Sequence, residues 1–175
     1  MLKYALSSRI IHWISAILIL TILGIGIYMT QFLPKDSPDH LKIYELHKSL
    51  GIIALALIIV RIINRFLKKA PPLPTTMPKI EVILANLGHF GLYVLLVCVP
   101  LSGYLMSNSF GFPVHLFGIE MPFLTGTNYA LGKLFATAHE FGAYALLGLV
   151  ILHVLAVIKH RYFDRPEHDV LKRMW

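Results

Sequence analysis

The chain has 175 residues, of which 57% are hydrophobic and 14% are charged, and its formal net charge is +7. A soluble domain normally carries about 25% charged residues, so this composition argues against one. The single cysteine excludes an intrachain disulfide and a cysteine-ligated iron–sulfur cluster.

Four apolar segments follow one another along the chain, at residues 10–32, 44–66, 82–106 and 135–159. Each is long enough to cross the bilayer as an α-helix, which takes roughly 20 residues for about 30 Å of hydrocarbon. The first is longer than the core of a signal peptide and lacks a clear small-residue cleavage site after it, so we expect it to be retained. The sequence therefore predicts an all-α, integral membrane four-helix bundle that forms a single domain over residues 1–175.

Lysine and arginine are unevenly distributed over the two ends of the predicted bundle, and an even number of spans puts both termini at one end. Twelve basic residues fall at that end: Lys3, Arg9, Arg61, Arg65, Lys68, Lys69, Lys79, Lys159, Arg161, Arg165, Lys172 and Arg173. The opposite end holds four: Lys35, Lys42, Lys48 and Lys133. The positive-inside rule then predicts cytoplasmic termini, and the net charge reflects this topology rather than nucleic-acid binding.

Five of the nine histidines lie within the predicted spans, where an ionisable side chain indicates a functional site. In chain order they are His12, His47, His89, His139 and His153, and His160 follows at the cytoplasmic end of the fourth span. We expect the other three, His40, His115 and His168, to be solvated surface side chains.

The depth of four of these histidines sorts them into two pairs. His139 and His153 are 14 residues apart, which on an α-helix is about 21 Å of rise and about 40° short of four full turns, so both face the same way. His12 lies near the cytoplasmic start of the first span, and His47 lies near the outer start of the second. We therefore expect His12 to meet His153 at the inner level and His47 to meet His139 at the outer level.

Two facing imidazoles at one level are the ligand set of a bis-histidine haem. A zinc site needs three or four ligands at one depth. A proton relay also uses intramembrane histidines, but it would more naturally include carboxylates deep in the spans, and here the glutamates lie near the span ends. The sequence therefore predicts two haem b groups, with His12 and His153 on the inner iron and His47 and His139 on the outer iron.

Small and basic residues near these histidines have two interpretations each. Five glycines lie in the first, second and fourth spans: Gly24, Gly26, Gly51, Gly142 and Gly148. They would let a flat macrocycle approach the helix backbone, or they would simply permit close helix packing. Arg9 is a candidate partner for a haem propionate near the cytoplasmic surface, or a plain positive-inside anchor.

Four stretches carry a recognisable pattern: RIIHW around His12, HKSLG around His47, LGHFGLY followed by PLSGYL in the third span, and HEFGAY with the later LH and KH in the fourth. They resemble the bacterial cytochrome b561 family. The architecture also resembles the cytochrome b subunits of nickel–iron hydrogenases and formate dehydrogenases. The resemblance covers nearly the whole chain and implies a multi-pass di-haem cytochrome of the bacterial inner membrane, with the same histidine pairings.

Short, free-standing members of this family look like quinone-linked electron carriers, and one studied type resembles a superoxide oxidase. The resemblance thus implies electron transfer from an extracytoplasmic donor, superoxide in that type, through two haems to ubiquinone. The alternative is an electron-relay membrane subunit for a separate periplasmic dehydrogenase. A non-redox transporter or metal carrier is a third interpretation. The expected partners are membrane lipid, quinone, and superoxide or a periplasmic redox protein, with no nucleic acid.

Three further residues are candidates for function in this setting. His160 lies two turns beyond His153 and within about 20° of its face, so it is either a quinone contact or a snorkelling interfacial residue. His89, at the inner level, could hydrogen-bond the haem or the quinone, or cross-link helices. Lys48 adjoins His47 and could guide an anion such as superoxide, unless it is ordinary solvated charge.

Overall fold

A computed structural model describes residues 2–175 of the chain. It contains four long α-helices: α1 Leu6–Ile27, α2 His40–Leu67, α3 Lys79–Ser109 and α4 Tyr129–Tyr162. A π-helical turn, Tyr28–Phe32, continues α1, and the 3₁₀ turns Pro166–His168 and Leu171–Met174 follow α4. All four helices are long and apolar enough to cross a membrane. The predicted four-helix membrane bundle is therefore confirmed.

The second, third and fourth helices are longer than the apolar segments from which they were predicted, and so is the first when its π-helical turn is included. The first begins at Leu6 instead of residue 10, and the fourth begins at Tyr129 instead of residue 135. Asn128 caps the fourth helix, because its side-chain oxygen accepts a hydrogen bond of 3.1 Å from the amide of Leu131. Hydropathy marks only the lipid-embedded part of a helix, whereas caps and backbone hydrogen bonds decide where it begins.

Different segments of the chain lie over the two ends of the bundle. We call the end with both termini and the α2–α3 connection the terminal face, and the opposite end the loop face. At the loop face, β1 His115–Leu116 pairs antiparallel with β2 Ile119–Glu120. The turn residues Phe117 and Gly118 have φ angles of 49° and 91°, as the two central residues of a type I′ turn require. The sequence does not predict this hairpin, because phenylalanine is unusual at a positive φ.

The tail that follows α4 folds back over the terminal face. The indole nitrogen of Trp13 donates to the carbonyl of Met174 at 3.1 Å, and the rings of Trp13 and Trp175 lie 5.1 Å apart. The guanidinium of Arg173 is buried and donates to the carbonyl of Pro72 at 2.9 Å. The tail therefore connects the start of α1, the α2–α3 connection and the end of α4.

The helices pack in chain order, with the closest backbone approaches between α1 and α2, α2 and α3, and α3 and α4. Ile58, Leu96 and Leu146 form a buried core shared by α2, α3 and α4. The fourth helix faces α1 and α2 across a wider separation, over which histidine side chains meet. Many other large apolar side chains point outwards, as a surface solvated by lipid requires.

Candidate functional site

One histidine pair lies towards the loop face. His47 on α2 and His139 on α4 have ring centroids 6.1 Å apart and ring planes at 88°. The Nδ1 atom of His139 lies 2.8 Å from the carbonyl oxygen of Val99 on α3. Because a carbonyl only accepts, Nδ1 carries the proton, and Nε2 of the neutral ring keeps the lone pair that a metal needs.

Two glycines give these imidazoles their space. A Cβ atom on Gly103 would lie 2.8 Å from Cε1 of His139, and one on Gly26 would lie 3.3 Å from Cε1 of His47. A side chain at Gly103 would therefore displace the ring, since real Cβ atoms do not make contacts that short. Gly103 was not among the glycines singled out from the sequence, because its partner is on another helix.

The other glycines do not decide between a macrocycle and simple helix packing. A Cβ atom on Gly142 would meet Val99 at 3.0 Å, which is a helix-packing contact. Within the described chain, nothing lies within 4 Å of a Cβ built on Gly24, Gly51 or Gly148. That open space would accommodate a flat group or a lipid chain.

Three histidines meet inside the bundle towards the terminal face. His153 on α4 faces both His12 on α1 and His89 on α3, with ring centroids 6.4 Å and 5.5 Å away. Arg61 reaches the same cluster from α2 and donates from Nη2 to Nδ1 of His12 at 3.0 Å. Its guanidinium also lies 5.5 Å from the centre of the Tyr93 ring. An arginine within the apolar run ALIIVRII was the sequence signal that could have pointed to Arg61.

The spacing of both predicted pairs fits two axial imidazoles on one iron. A metal–nitrogen bond of about 2 Å and roughly 1.2 Å from nitrogen to ring centre put the two centroids about 6.4 Å apart. The separations of 6.4 Å for His12–His153 and 6.1 Å for His47–His139 agree with this value. The 5.5 Å between His89 and His153 is shorter. The geometry therefore favours His12, rather than His89, opposite His153.

Arg61 sets a condition on the terminal-face pair. A guanidinium can only donate, so its bond to Nδ1 of His12 puts the proton of the neutral ring on Nε2. Iron binding through Nε2 of His12 would require that Arg61 release Nδ1. The terminal-face pair thus fits an iron in its spacing, whereas the loop-face pair fits in its spacing and in the tautomer of His139.

Three buried side-chain atoms have no hydrogen-bond partner within residues 2–175: Nε of Arg9, Nδ1 of His47 and Oε2 of Glu81. A buried polar atom without a partner costs about 1–3 kcal/mol, and more when the group is charged. A carboxylate is the natural acceptor for a guanidinium nitrogen. The environment of Arg9 therefore suits a haem propionate better than a purely aqueous anchor.

Lys48 is not a free cation. Its ammonium group forms an ion pair with Glu45 and donates to the carbonyl of Pro113 at 3.2 Å. Glu45 also accepts a hydrogen bond of 3.1 Å from Nδ1 of His115 in the hairpin. These contacts compensate the charge of Lys48 and attach the hairpin to α2. They weigh against the anion-guiding role considered for Lys48.

His160 lies in a cluster of charged groups at the terminal-face end of α4. Its Nδ1 donates to Oδ2 of Asp164 at 2.8 Å, and its Nε2 lies 3.7 Å from Oε2 of Glu81 on α3. The ammonium group of Lys159 binds Glu81 at 2.6 Å and Asp164 at 3.2 Å. The structure therefore joins His160 to two carboxylates, Glu81 and Asp164, that the sequence alone did not single out as part of a site.

Asp164 is the centre of this cluster. The backbone amide of Arg165 and then the imidazoles of His160 and His168 hold the pKa of its carboxyl group well below the usual range. His168 donates from Nδ1 to Asp164 at 2.9 Å, and its Nε2 is 2.9 Å from the hydroxyl of Thr76. The expectation of a solvated His168 is therefore wrong, since the ring is only 3% exposed. The four-residue spacing from 160 to 164 to 168 was the available signal.

The whole chain matches one known protein family. The sequence model of the family described as "Prokaryotic cytochrome b561" matches residues 3–175. "Cytochrome b561 homolog 2" of Escherichia coli (strain K12) is 32% identical over 174 residues, which is 98% of this chain and 90% of that protein. The match spans all four helices and both histidine pairs.

Two further relatives are similar over most of their length. "Probable superoxide oxidase CybB" of Yersinia pestis is 30% identical over 160 residues, which is 91% of this chain and 89% of that protein. "Cytochrome b561 homolog 1" of Escherichia coli (strain K12) is 25% identical over 173 residues, covering 98% of this chain and 97% of that protein.

Proposed function

This chain belongs to the prokaryotic cytochrome b561 family, and on that premise we propose that it carries electrons from an extracytoplasmic donor through two haem b groups to ubiquinone. Family members are multi-pass bacterial membrane proteins of the redox type that bind haem b. The redox class, the haem cofactor and the membrane location follow from membership. The number of haems, the donor, the acceptor and the inner membrane belong to the proposal.

The single observation that carries the proposal is the presence of two imidazole pairs, one towards each end of the bundle, with the spacing of axial ligands on one iron. His12 and His153 would hold the haem nearer the terminal face, and His47 and His139 the haem nearer the loop face. The 14 residues between His139 and His153 separate the two levels by about 21 Å along α4. Haem b, when bound, supplies one-electron transfer, and the chain supplies ligands and burial.

The acceptor is assigned to the terminal face. His160 lies two helical turns beyond His153. Its Nδ1 is bonded to Asp164, whereas its Nε2 faces Glu81 from 3.7 Å, which is beyond hydrogen-bond distance. A quinone headgroup has two oxygen atoms that accept hydrogen bonds, and a partly buried imidazole is a suitable donor. His89 adjoins His153 and would lie beside the same haem. With the termini in the cytoplasm, quinone reduction would take its protons from that side.

The donor is assigned to the loop face. One relative carries the name of a probable superoxide oxidase. Superoxide gives up one electron at a time, and each haem in a series of two can take up one electron. The charges of this face give no additional support. Its four lysines are Lys35, Lys42, Lys48 and Lys133, and its five acidic residues are Asp36, Asp39, Glu45, Glu120 and Glu140. Superoxide is therefore proposed as the donor from the relative's name and the haem arrangement, and not from an excess of positive charge at this face.

That charge balance favours one alternative. Without an excess of positive charge, the loop face would not concentrate a small anion, but it could receive a separate periplasmic redox protein. The chain would then be the electron-relay membrane subunit of a dehydrogenase. The haems, their ligands and the quinone would be the same in both proposals, and only the donor differs.

A titration with superoxide tests the proposed donor and acceptor. Purified, oxidised protein is mixed with superoxide, with and without superoxide dismutase, and the haem absorbance is followed before and after a short-chain ubiquinone is added. We expect rapid reduction that the dismutase abolishes, and reoxidation by the quinone. Reduction no faster than in the dismutase sample would exclude superoxide and favour the relay subunit. A colourless protein after expression with ample haem would contradict both and favour a transporter.

A further inference from the structure

The gap between Glu81 and His160 requires an explanation. Oε2 of Glu81 is buried and has no partner among the described residues. Nε2 of His160 faces it at 3.7 Å, which is beyond hydrogen-bond distance. The Nδ1 atom of His160 is committed to Asp164 at 2.8 Å, so the ring is held with Nε2 directed at the carboxylate. One oxygen atom, about 2.8 Å from each, could bond to both.

A metal ion is the less suitable occupant of that gap. Glu81, His160 and Asp164 have ligand atoms within 4.8 Å of one another, so the residue types alone would permit a cation. However, the ammonium group of Lys159 binds both carboxylates, at 2.6 Å and 3.2 Å. It supplies the positive charge that a cation would bring, and it would repel one. A neutral molecule with a polar oxygen is the better fit.

We propose that His160 and Glu81 form the proton-donating site for quinone reduction, with Asp164 as the residue that positions His160. This inference rests on the proposed function, because it takes a quinone as the acceptor. Protonated His160 would give the proton on Nε2 to the quinone oxygen that faces it. The hydroxyl group so formed would donate its hydrogen bond to Oε2 of Glu81, which gives that buried oxygen its missing donor.

The electrons and protons balance as follows for one quinone. Reduction to the quinol takes two electrons, which would reach the quinone one at a time, since haem b supplies single electrons when bound. It also takes two protons, one from His160 to the facing oxygen and one from the aqueous phase to the other oxygen. Neutral His160 is then reprotonated from the aqueous phase. No other oxidant or reductant is needed.

Asp164 would act on His160 in two ways. Its hydrogen bond to Nδ1 keeps Nε2 facing Glu81, and the same bond holds the ring in place while the proton leaves Nε2. His168 and Lys159 hold the carboxylate in place from the other sides. Asp164 touches no substrate in this proposal, so it is a positioning residue.

The test separates quinone reduction from electron transfer alone. Protein reduced with a limiting amount of dithionite is mixed either with a short-chain ubiquinone or with ferricyanide, which accepts electrons without protons. For His160→Ala we expect quinone-dependent haem oxidation to slow about 100-fold, the scale of general acid catalysis. Ferricyanide-dependent oxidation should stay at the wild-type rate, and free imidazole should restore part of the quinone rate.

The matched control is Glu167→Gln, which changes an exposed carboxylate at the same face. It should oxidise with quinone at the wild-type rate. Asp164→Asn should slow the quinone reaction less than His160→Ala does, and imidazole should not rescue it because the His160 ring is still present. If His160→Ala does not fold, Glu81→Leu provides the same comparison, since it removes the hydrogen-bond acceptor and should slow the quinone reaction alone.

Two results would overturn the inference. One is a quinone rate in His160→Ala equal to that of the wild type, and the other is an equal slowing with quinone and with ferricyanide. Failure of the proposed function looks different. In that case the wild-type protein itself would be oxidised by ferricyanide but not by quinone.

Discussion

His139 on α4 donates a 2.8 Å hydrogen bond from Nδ1 to the carbonyl oxygen of Val99 on α3. The bond fixes the orientation and the tautomer of the ring, as a second partner commonly does for a histidine that binds a metal. Gly103, one turn further along α3, leaves the space in which the ring lies. The loop-face pair is therefore shaped by three helices, since His47 comes from α2.

Gly103→Ala should remove the loop-face haem and spare the other. The added Cβ atom would lie 2.8 Å from Cε1 of His139, so the ring must move and lose its bond to Val99. Loss of such support typically lowers metal affinity about 10–100-fold. We expect the haem content of the purified variant to fall to about half. Gly148→Ala is the control, because the described residues leave that position open; equal losses in both variants would refute this explanation.

Arg61→Gln should lower the reduction potential of the haem nearer the terminal face. Arg61 lies beside His12, and its positive charge would stay near the terminal-face haem and stabilise the added electron even after the guanidinium releases Nδ1 of His12. A unit charge at about 6 Å, with an effective dielectric constant of about 20, contributes roughly 3 kcal/mol, which is on the order of 100 mV for one electron. Potentiometric titration of the haem absorbance measures this shift, with the loop-face haem as an internal reference. In Arg61→Lys, which keeps the charge, the shift should be small; a shift as large as in Arg61→Gln would rule out a charge effect.

Docking of the C-terminal tail should depend on pH through Asp164. Its pKa is held below the usual range, first by the amide of Arg165 and then by the neighbouring imidazoles. A carboxyl group with a depressed pKa stabilises the folded state above its unfolded value of about 3.9, and this contribution is lost as the pH falls through the folded pKa. In the wild type, the Asp164 carboxylate should therefore hold the tail in place at neutral pH, and the tail should loosen only in acid, below about pH 4.

Tryptophan fluorescence measures this docking directly. The two tryptophans of the chain, Trp13 and Trp175, have rings 5.1 Å apart, so emission reports on the tail. Asp164→Asn should shift the emission to the red at neutral pH and remove the acid transition. Glu167→Gln should keep both as in the wild type. An unchanged acid transition in Asp164→Asn would assign it to another group.

Lys48→Met should loosen the hairpin without changing how the protein attracts anions. Lys48 is bound to Glu45 and to the carbonyl of Pro113, so its charge is already compensated. Hydrogen exchange should become faster in residues 110–120. The ionic-strength dependence of haem reduction by superoxide should match that of the wild type. A markedly weaker salt dependence in the variant would restore the anion-guiding role.

The helices and the histidine levels could be predicted because both depend on local regularities. Apolar runs of sufficient length define the spans, and the 14-residue interval between His139 and His153 follows from helix geometry alone. Successive spans run in opposite directions, and this brings His47 to the level of His139 and His12 to the level of His153. The ring separations of 6.1 Å and 6.4 Å agree with that depth argument.

The contacts between distant segments could not be predicted in the same way. Arg61 and His12 are 49 positions apart, and Lys159 and Glu81 are 78 apart, so no local pattern joins them. The burial of His168 depends on the tail folding back over the terminal face, which no hydropathy pattern encodes. These contacts also alter the interpretation of the histidines, because each one adds a charge or a hydrogen bond beside a histidine that the sequence alone did not show.

The most direct test of the two-haem arrangement is the haem content per chain, measured with the reduced absorbance spectrum, in His153→Ala, His12→Ala, His89→Ala and the wild type. We expect two b haems in the wild-type protein, one in His153→Ala, and two in His89→Ala. The haem that remains in His153→Ala should be the one that Gly103→Ala removes. Loss of both haems from a folded His153→Ala protein, or loss of one from His89→Ala with none lost from His12→Ala, would contradict the assignment of the two pairs.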